Sequence, residues 1–190
     1  MKPICSFAFV LFLIAFLSHY STANAQTKSF SEINSYTTEV DRFIKLNKKH
    51  RIFGDVANEN SDDAIWKEFK TQKTFDNAAC YQSAFVYSRN GKVIASNFMF
   101  TSPSGDWAHF INYYFRQDGS LAKIEAQLNT FYGDLSVIRH RYYDAKGGLI
   151  KSTRKFLDLQ TKKPKKPGDF MDNEIPLYKT VAELPFHKLL

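Results

Sequence analysis

The chain has 190 residues, two cysteines, 18 Phe and 10 Tyr, and a formal net charge of +7. This length fits one domain with its own hydrophobic core, which the aromatic residues are numerous enough to fill. Much of the positive charge lies in one short lysine run rather than on a patterned basic face, which argues against a nucleic-acid-binding protein.

The first 25 residues are typical of a cleavable signal peptide. A lysine precedes an apolar run at residues 6–17, and small residues end at a cleavage position after Ala25. The apolar run is shorter than the roughly 20 residues that a membrane span needs. We therefore expect export to the periplasm or the cell exterior, with no membrane span after cleavage. The expected mature chain is a single α+β domain over residues 26–190, and its lone Cys80 excludes an intramolecular disulfide.

Residues 28–75 are predicted to be mainly helical. Ser29 and Glu32 form a capping-box pattern, and apolar residues then recur at three- and four-residue steps to about His50. A second, shorter helix is predicted from Ser61, where acidic residues favour a helix N-terminus. Its apolar residues are Ile65, Trp66 and Phe69.

From residue 80 to residue 158 the hydrophobic period changes to two, which is typical of strands with one buried face. Turn sequences such as Asn90-Gly91 and Asp118-Gly119 separate the alternating runs. Connections this short make neighbouring strands antiparallel, so we predict a curved, six-stranded β-meander. The predicted strands are 81–88, 92–100, 107–116, 121–131, 135–143 and 149–157.

The predicted meander contains an internal repeat of 28 residues. Tyr114–Lys123 matches Tyr142–Lys151 position for position. Val86–Val93, which begins 28 residues before Tyr114, resembles the start of both segments. Each unit would add two strands to one sheet, because no unit buries its apolar face alone. The predicted fold class is therefore α+β, with N-terminal helices packed on the apolar face of a single sheet built from this hairpin repeat.

Beyond the meander, residues 159–170 form a Lys/Pro-rich loop that we expect to be extended and exposed. Residues 171–190 are apolar again and are expected to dock on the domain. The loop's lysines offer contact with an anionic polymer of the cell envelope, although a solvated loop is the alternative. They are Lys162, Lys163, Lys165 and Lys166.

Several polar and aromatic side chains share strand faces with the predicted core. A polar group on an apolar face must find a partner or line a cavity. Two interpretations follow: a ligand pocket between the sheet and the helices, or pairing with buried backbone and carboxylates. The residues predicted to line the pocket are Trp107, His109, Tyr113, His140, Tyr142 and Arg154.

The favoured function is an exported, non-catalytic binding or accessory protein of the cell envelope. Its partner would be an apolar small molecule, a lipid or a segment of an envelope protein. The alternatives are an envelope hydrolase that uses His109 or His140, and a protein-protein interaction module that pairs through an edge strand. No cofactor or metal is predicted, since the sequence has no His-x-His, His-Glu-x-x-His or Cys pair. Cys80 precedes a strand rather than a helix, so it lacks the dipole that activates a thiol.

Overall fold

An open antiparallel sheet of eight strands and two helices form the described part of the protein in a computed structural model. The predicted signal segment, residues 1–25, and the predicted helix start at Ser61 lie outside the described residues. Neither helix of the described residues has the length and hydropathy of a membrane-spanning segment. The described residues are 30–47, 49–57, 64–170 and 172–190.

The strands pair in the order β2-β1-β3-β4-β5-β6-β7-β8, and every neighbouring pair is antiparallel. The prediction of an α+β fold with one antiparallel sheet is therefore confirmed. The strands are β1 (Arg51–Asp55), β2 (Trp66–Phe69), β3 (Gln82–Arg89), β4 (Lys92–Thr101), β5 (Trp107–Phe115), β6 (Leu121–Thr130), β7 (Leu135–Tyr143) and β8 (Leu149–Asp158). The helices are α1 (30–46) and α2 (Gln72–Asp76), and short 3₁₀ turns cover Val181–Glu183 and His187–Leu189.

The six predicted strands correspond to β3–β8 within one residue at each end, but the sheet has two further strands. The prediction that residues 28–75 are helical is therefore wrong for β1 and β2. Trp66 and Phe69, which were assigned to the second helix, lie in β2, where Asp55 of β1 pairs with Trp66. Pairing with β1 overrides the local pattern, because four residues are too few to distinguish a helical period from a strand period.

One face of the sheet, here called the tail face, carries the main hydrophobic core. Phe98, Ile111 and Phe115 of the central strands are buried there against Leu184 and Phe186 of the C-terminal tail. The predicted cover for this face was the N-terminal helices, and that prediction is wrong. The tail covers it instead, because its scattered apolar residues reach across several strands without needing a helical stripe.

The opposite face, here called the helix face, is covered by α1 at one end only. Ile33, Thr37 and Val40 form a buried stripe along α1 at helical spacing. This stripe packs on residues that include Tyr114 and Tyr142 of the sheet. Beyond α1, one cross-strand row of the helix face is polar and partly exposed: Asn97, Asn112, Glu125, His140 and Thr153.

Candidate functional site: a cavity between the sheet and the C-terminal tail

The six residues predicted to form one pocket lie on both faces of the sheet. His109 pairs with Leu128, and Leu128 pairs with Val137, so these three side chains share the tail face. His140 lies three residues after Val137 and therefore points to the helix face. The prediction that His109 and His140 lie on the same side of the sheet is wrong. Trp107, Tyr113 and Arg154 lie on the tail face, and Tyr142 lies on the helix face.

A cavity of about 520 Å³ lies on the tail face, between β5, β6 and the start of the tail. Its volume falls within the roughly 300–1,000 Å³ of ordinary small-molecule sites. Leu128 is buried in its wall together with Leu135 and Val137, and the aromatic rings of Trp107 and Phe170 pack against this cluster. The residues that line the cavity are Asp106, Trp107, Leu128, Thr130, Tyr132, Asp169, Phe170 and Asn173.

His109 is a buried polar residue in register with Leu128, which lines the cavity. Its side chain is 2% exposed, and its Nε2 atom has no hydrogen-bond partner among the described residues. Burial, helped by the nearby charge of Arg139, lowers the pKa of His109 to about 4. The ring is therefore neutral at neutral pH. A buried group left without a partner costs about 1–3 kcal/mol of stability, so this nitrogen is an open position for a hydrogen bond.

Two arginines near the cavity share one carboxylate of the tail. Arg139 of β7, 8% exposed, forms an ion pair with Asp172 and donates a hydrogen bond of 3.1 Å to the backbone oxygen of Asn173. The Nη2 atom of Arg154 lies 2.7 Å from the other carboxylate oxygen of Asp172. The guanidinium of Arg154 also lies 5.5 Å from the ring of Phe170. Phe170 and Asn173 line the cavity, so the arginine pair lies next to two of its lining residues without lining it.

The pKa of Arg139 is lowered to about 10, first by burial and then by the charges of Arg154 and Arg141. The group therefore stays charged at neutral pH. Within the part of the chain that the structure describes, Asp172 is the one carboxylate that forms an ion pair with any of these three arginines. These three arginines thus outnumber the carboxylate paired with them, whereas the charged residues that line the cavity itself, Asp106 and Asp169, are acidic.

Tyr113 anchors the tail rather than lining the cavity. Its ring is fully buried, and its hydroxyl donates a hydrogen bond of 2.7 Å to the backbone oxygen of Pro176. Burial raises the pKa of this hydroxyl well above its usual value. Tyr113 is therefore a proton donor that stabilises the docked tail.

A second polar cluster lies on the helix face where α1 meets the sheet. The hydroxyl of Tyr114 lies 2.9 Å from a carboxylate oxygen of Asp41 and 3.1 Å from one of Glu125. Lys123 forms an ion pair of 2.5 Å with Glu125 and is only 6% exposed. The sequence pattern did not identify Asp41 as a partner of this cluster. Burial is the main cause of the lowered pKa of His140, which pairs with Glu125 across the strands.

The space between α1 and the sheet contains a depression of about 490 Å³, whose lining includes Ile33, Ala122 and Ala145 beside charged and polar side chains. Arg116 in this wall donates hydrogen bonds to the backbone oxygens of Leu121 and Tyr143, which ties neighbouring hairpins together. Glu32, Tyr36 and Asp118 are among its other lining residues. None of the residues predicted for the ligand pocket lines this depression.

The remaining reactive groups are dispersed. A Cβ atom placed on Gly54 would lie 2.7 Å from the Sγ atom of Cys80, so Cys80 packs tightly against β1. Burial and the charge of Asp55 raise the pKa of this thiol. Across the described ranges, no hydrogen bond joins His109 or His140 to a carboxylate or to Cys80. In the same residues, no group of three or more His, Cys, Asp and Glu side chains is placed to hold a metal ion.

No family model, no curated protein and no solved structure matches this chain. The geometry of the cavity is therefore the basis for the functional argument.

Proposed function

We propose that this protein is an exported, non-catalytic binding or accessory protein of the cell envelope that holds an apolar ligand or partner segment. The cavity between the sheet and the tail carries this proposal, because Trp107, Leu128 and Phe170 give it apolar walls. The site thus moves from the predicted space between sheet and helices to the opposite face. Export is supported by the signal-peptide pattern of residues 1–25 alone.

Binding fits the cavity better than catalysis does. General acid-base chemistry needs a titratable group within hydrogen-bond reach of the reacting atoms and a pKa near the working pH. His109 is buried, and its pKa of about 4 keeps it neutral, so it suits recognition of a polar ligand group. The hydrolase alternative with His109 or His140 stays a prediction.

The edge-strand alternative is favoured by one observation, the ten-residue strand β8 at the outer edge of the sheet. The loop that follows covers its end, where the amide of Lys165 donates to the backbone oxygen of Phe156 at 3.0 Å. Lys151 and Lys155 place positive charge along the strand, which discourages pairing with most chains. The interaction-module function therefore ranks second.

The lysine run has a structural role that reduces its capacity for an anionic polymer. Lys165 donates hydrogen bonds to the backbone oxygens of Gly133 and Asp134 and lies 3.3 Å from the carboxylate of Asp158. Contact with an anionic polymer is thus proposed only for the three other lysines of the run.

We also propose that β3–β8 are an array of 28-residue hairpin units. In support, Gly91, Gly119 and Gly147 stand at equal spacing in hairpin turns and have φ values of 74°, 84° and 81°. Glycine adopts this left-handed conformation without steric cost.

The neutral apolar fluorophore N-phenyl-1-naphthylamine tests the proposed binding site. We expect saturable binding to the wild-type protein and at least a tenfold loss of affinity in Trp107→Ala, because a large apolar wall is removed. Phe110→Ala is the matched control, since Phe110 is an exposed aromatic residue on the helix face and should leave binding unchanged. The proposal is wrong if no saturable binding occurs, or if Phe110→Ala abolishes binding and Trp107→Ala does not. Circular dichroism checks that both variants are folded.

A further inference from the structure

We propose that the ligand of this cavity is a long-chain carboxylate, and that Arg139 and Arg154 bind its head group in place of Asp172. This inference rests on the proposed function, because it adds a head-group site to the apolar cavity. In the absence of ligand, the protein's own tail occupies the head-group site.

The contacts of Asp172 show what the arginine pair recognises. One carboxylate oxygen forms an ion pair with Arg139, and the other lies 2.7 Å from Arg154. Arginine suits this role, because its planar guanidinium donates parallel hydrogen bonds to carboxylate oxygens. A ligand carboxylate presents the same two oxygens in the same geometry, so it competes directly with Asp172.

The side chain of Asp172 is well suited to displacement. It is 40% exposed, whereas that of Arg139 is only 10% exposed. The buried partner depends on a counter-ion, because an unpaired charge in a protein interior is strongly destabilising. An exposed carboxylate on an irregular segment can leave while a ligand carboxylate takes its place, and Arg139 then remains paired.

The charges around the cavity also orient the ligand. Arg139 and Arg154 pair with each other across β7 and β8, one side-chain row inward from Val137. Asp106 and Asp169 are exposed lining residues, and Asp106 immediately precedes β5 at the outer end of the cavity. These acids repel a carboxylate from the outer end. The head group therefore faces the arginines, and the alkyl chain lies along Trp107 and Leu128.

His109 gives independent support for a polar ligand group. On β5, His109 lies between Trp107 and Ile111 on the tail face. Ile111 is in register with Ala126 of β6, and Ala126 is in register with Arg139 of β7. Its unpartnered Nε2 atom is more than nine-tenths buried. Buried polar atoms in native proteins nearly always have a partner, so a ligand oxygen or a water that it carries would satisfy this position.

The test compares dodecanoate with dodecanol, which have the same chain length but differ in the charge of the head group. Isothermal titration calorimetry should show that the wild-type protein binds dodecanoate at least tenfold more tightly. Asp172→Asn removes the internal competitor, so the affinity for dodecanoate should rise by about tenfold while that for dodecanol stays unchanged. Arg154→Gln should weaken dodecanoate binding by about tenfold and leave dodecanol binding unaffected.

Glu174→Gln is the matched control for net charge. Glu174 is an exposed acid of the same tail that forms no ion pair among the described residues, so its replacement should change neither affinity. Equal affinity for dodecanoate and dodecanol in the wild-type protein and in Asp172→Asn overturns the head-group inference but leaves the apolar site intact. Failure of both ligands to bind argues against the proposed function itself.

Discussion

The tail face and the helix face bury polar groups in different ways. On the helix face, Tyr114 lies within hydrogen-bond reach of two carboxylates, and Lys123 neutralises one of them. On the tail face, His109 has no partner among the described residues, and two arginines share the single carboxylate of Asp172. A fully partnered polar network rigidifies a structure, whereas an incomplete one destabilises it unless a ligand completes it. The Tyr114 cluster on the helix face is therefore fully partnered, whereas the tail face keeps an open hydrogen-bond position at His109 and a carboxylate shared by two arginines.

The segments that cover the two faces also differ in their regularity. The cover of the helix face is a regular helix with an apolar stripe, whose buried residues include Val40. The cover of the tail face is an irregular segment held by a few large side chains, of which Phe186 stacks on Phe53 with ring centroids 4.4 Å apart. The tail thus covers its face with separate apolar side chains, whereas α1 covers the other face with a continuous stripe.

The largest change in the free energy of unfolding is expected when one buried residue is truncated in the tail or in α1. Phe186 and Val40 are 1% and 0% exposed. Phe186→Ala should lower the free energy of unfolding by about 3–5 kcal/mol, because it removes a ring that contacts several others. Val40→Ala should cost about 2 kcal/mol, since fewer carbon atoms leave the core. Urea denaturation measures both values, and a larger loss for Val40→Ala would contradict the greater contribution expected of the Phe186 ring.

The lowered pKa of the unpartnered His109 should make the free energy of unfolding depend on pH. The folded protein binds a proton at His109 only near pH 4, whereas an unfolded chain does so near the ordinary pKa of 6.5. Between these values the unfolded state binds more protons, so the free energy of unfolding rises with pH by up to about 3 kcal/mol. His109→Leu should flatten the wild-type curve over this window. The difference between the two curves isolates His109, and an unchanged slope would show that the ring is accessible to protons.

Removal of the Tyr114 hydroxyl tests the hydrogen-bond network on the helix face. Tyr114→Phe removes the proton donor between Asp41 and Glu125, and the free energy of unfolding should fall by about 1–3 kcal/mol. Tyr87→Phe is the matched control, because Tyr87 lies in the same cross-strand region and its hydroxyl makes no hydrogen bond within the described residues. The control should change stability by less than about 0.5 kcal/mol. Equal effects of the two variants would remove the distinction between the networks.

Local signals explain why six strands were predicted correctly. Asn90-Gly91 and the equivalent turns fix hairpins between neighbours, and strict alternation then sets the strand bounds. β1 and β2 were missed, because strands of five and four residues are too short to show a clear period and no tight turn joins them. The cover of the main core was misassigned for a related reason. Ile175, Leu184 and Phe186 lie in irregular structure and show no period.

The candidate site could be predicted only in part. Alternation along β5 placed Trp107 and His109 on one face, and the structure agrees. Alternation within β7 does not show which of its side chains share a face with His109, because this depends on the register between strands. His140 was grouped with His109 for this reason. No sequence pattern indicated Asp172, because its role depends on ion pairs with two arginines on separate strands.

The stacking of Phe186 on Phe53 has a consequence for the order of folding. The hairpins of β3–β8 join segments that are adjacent in the chain, so the loops that must close are short. The Phe53–Phe186 contact joins residues near opposite ends of the described chain, and its closure entropy is correspondingly larger. We expect the meander to assemble first and the tail to dock last. The cavity would then be completed in the final step and be the first part to open by local unfolding.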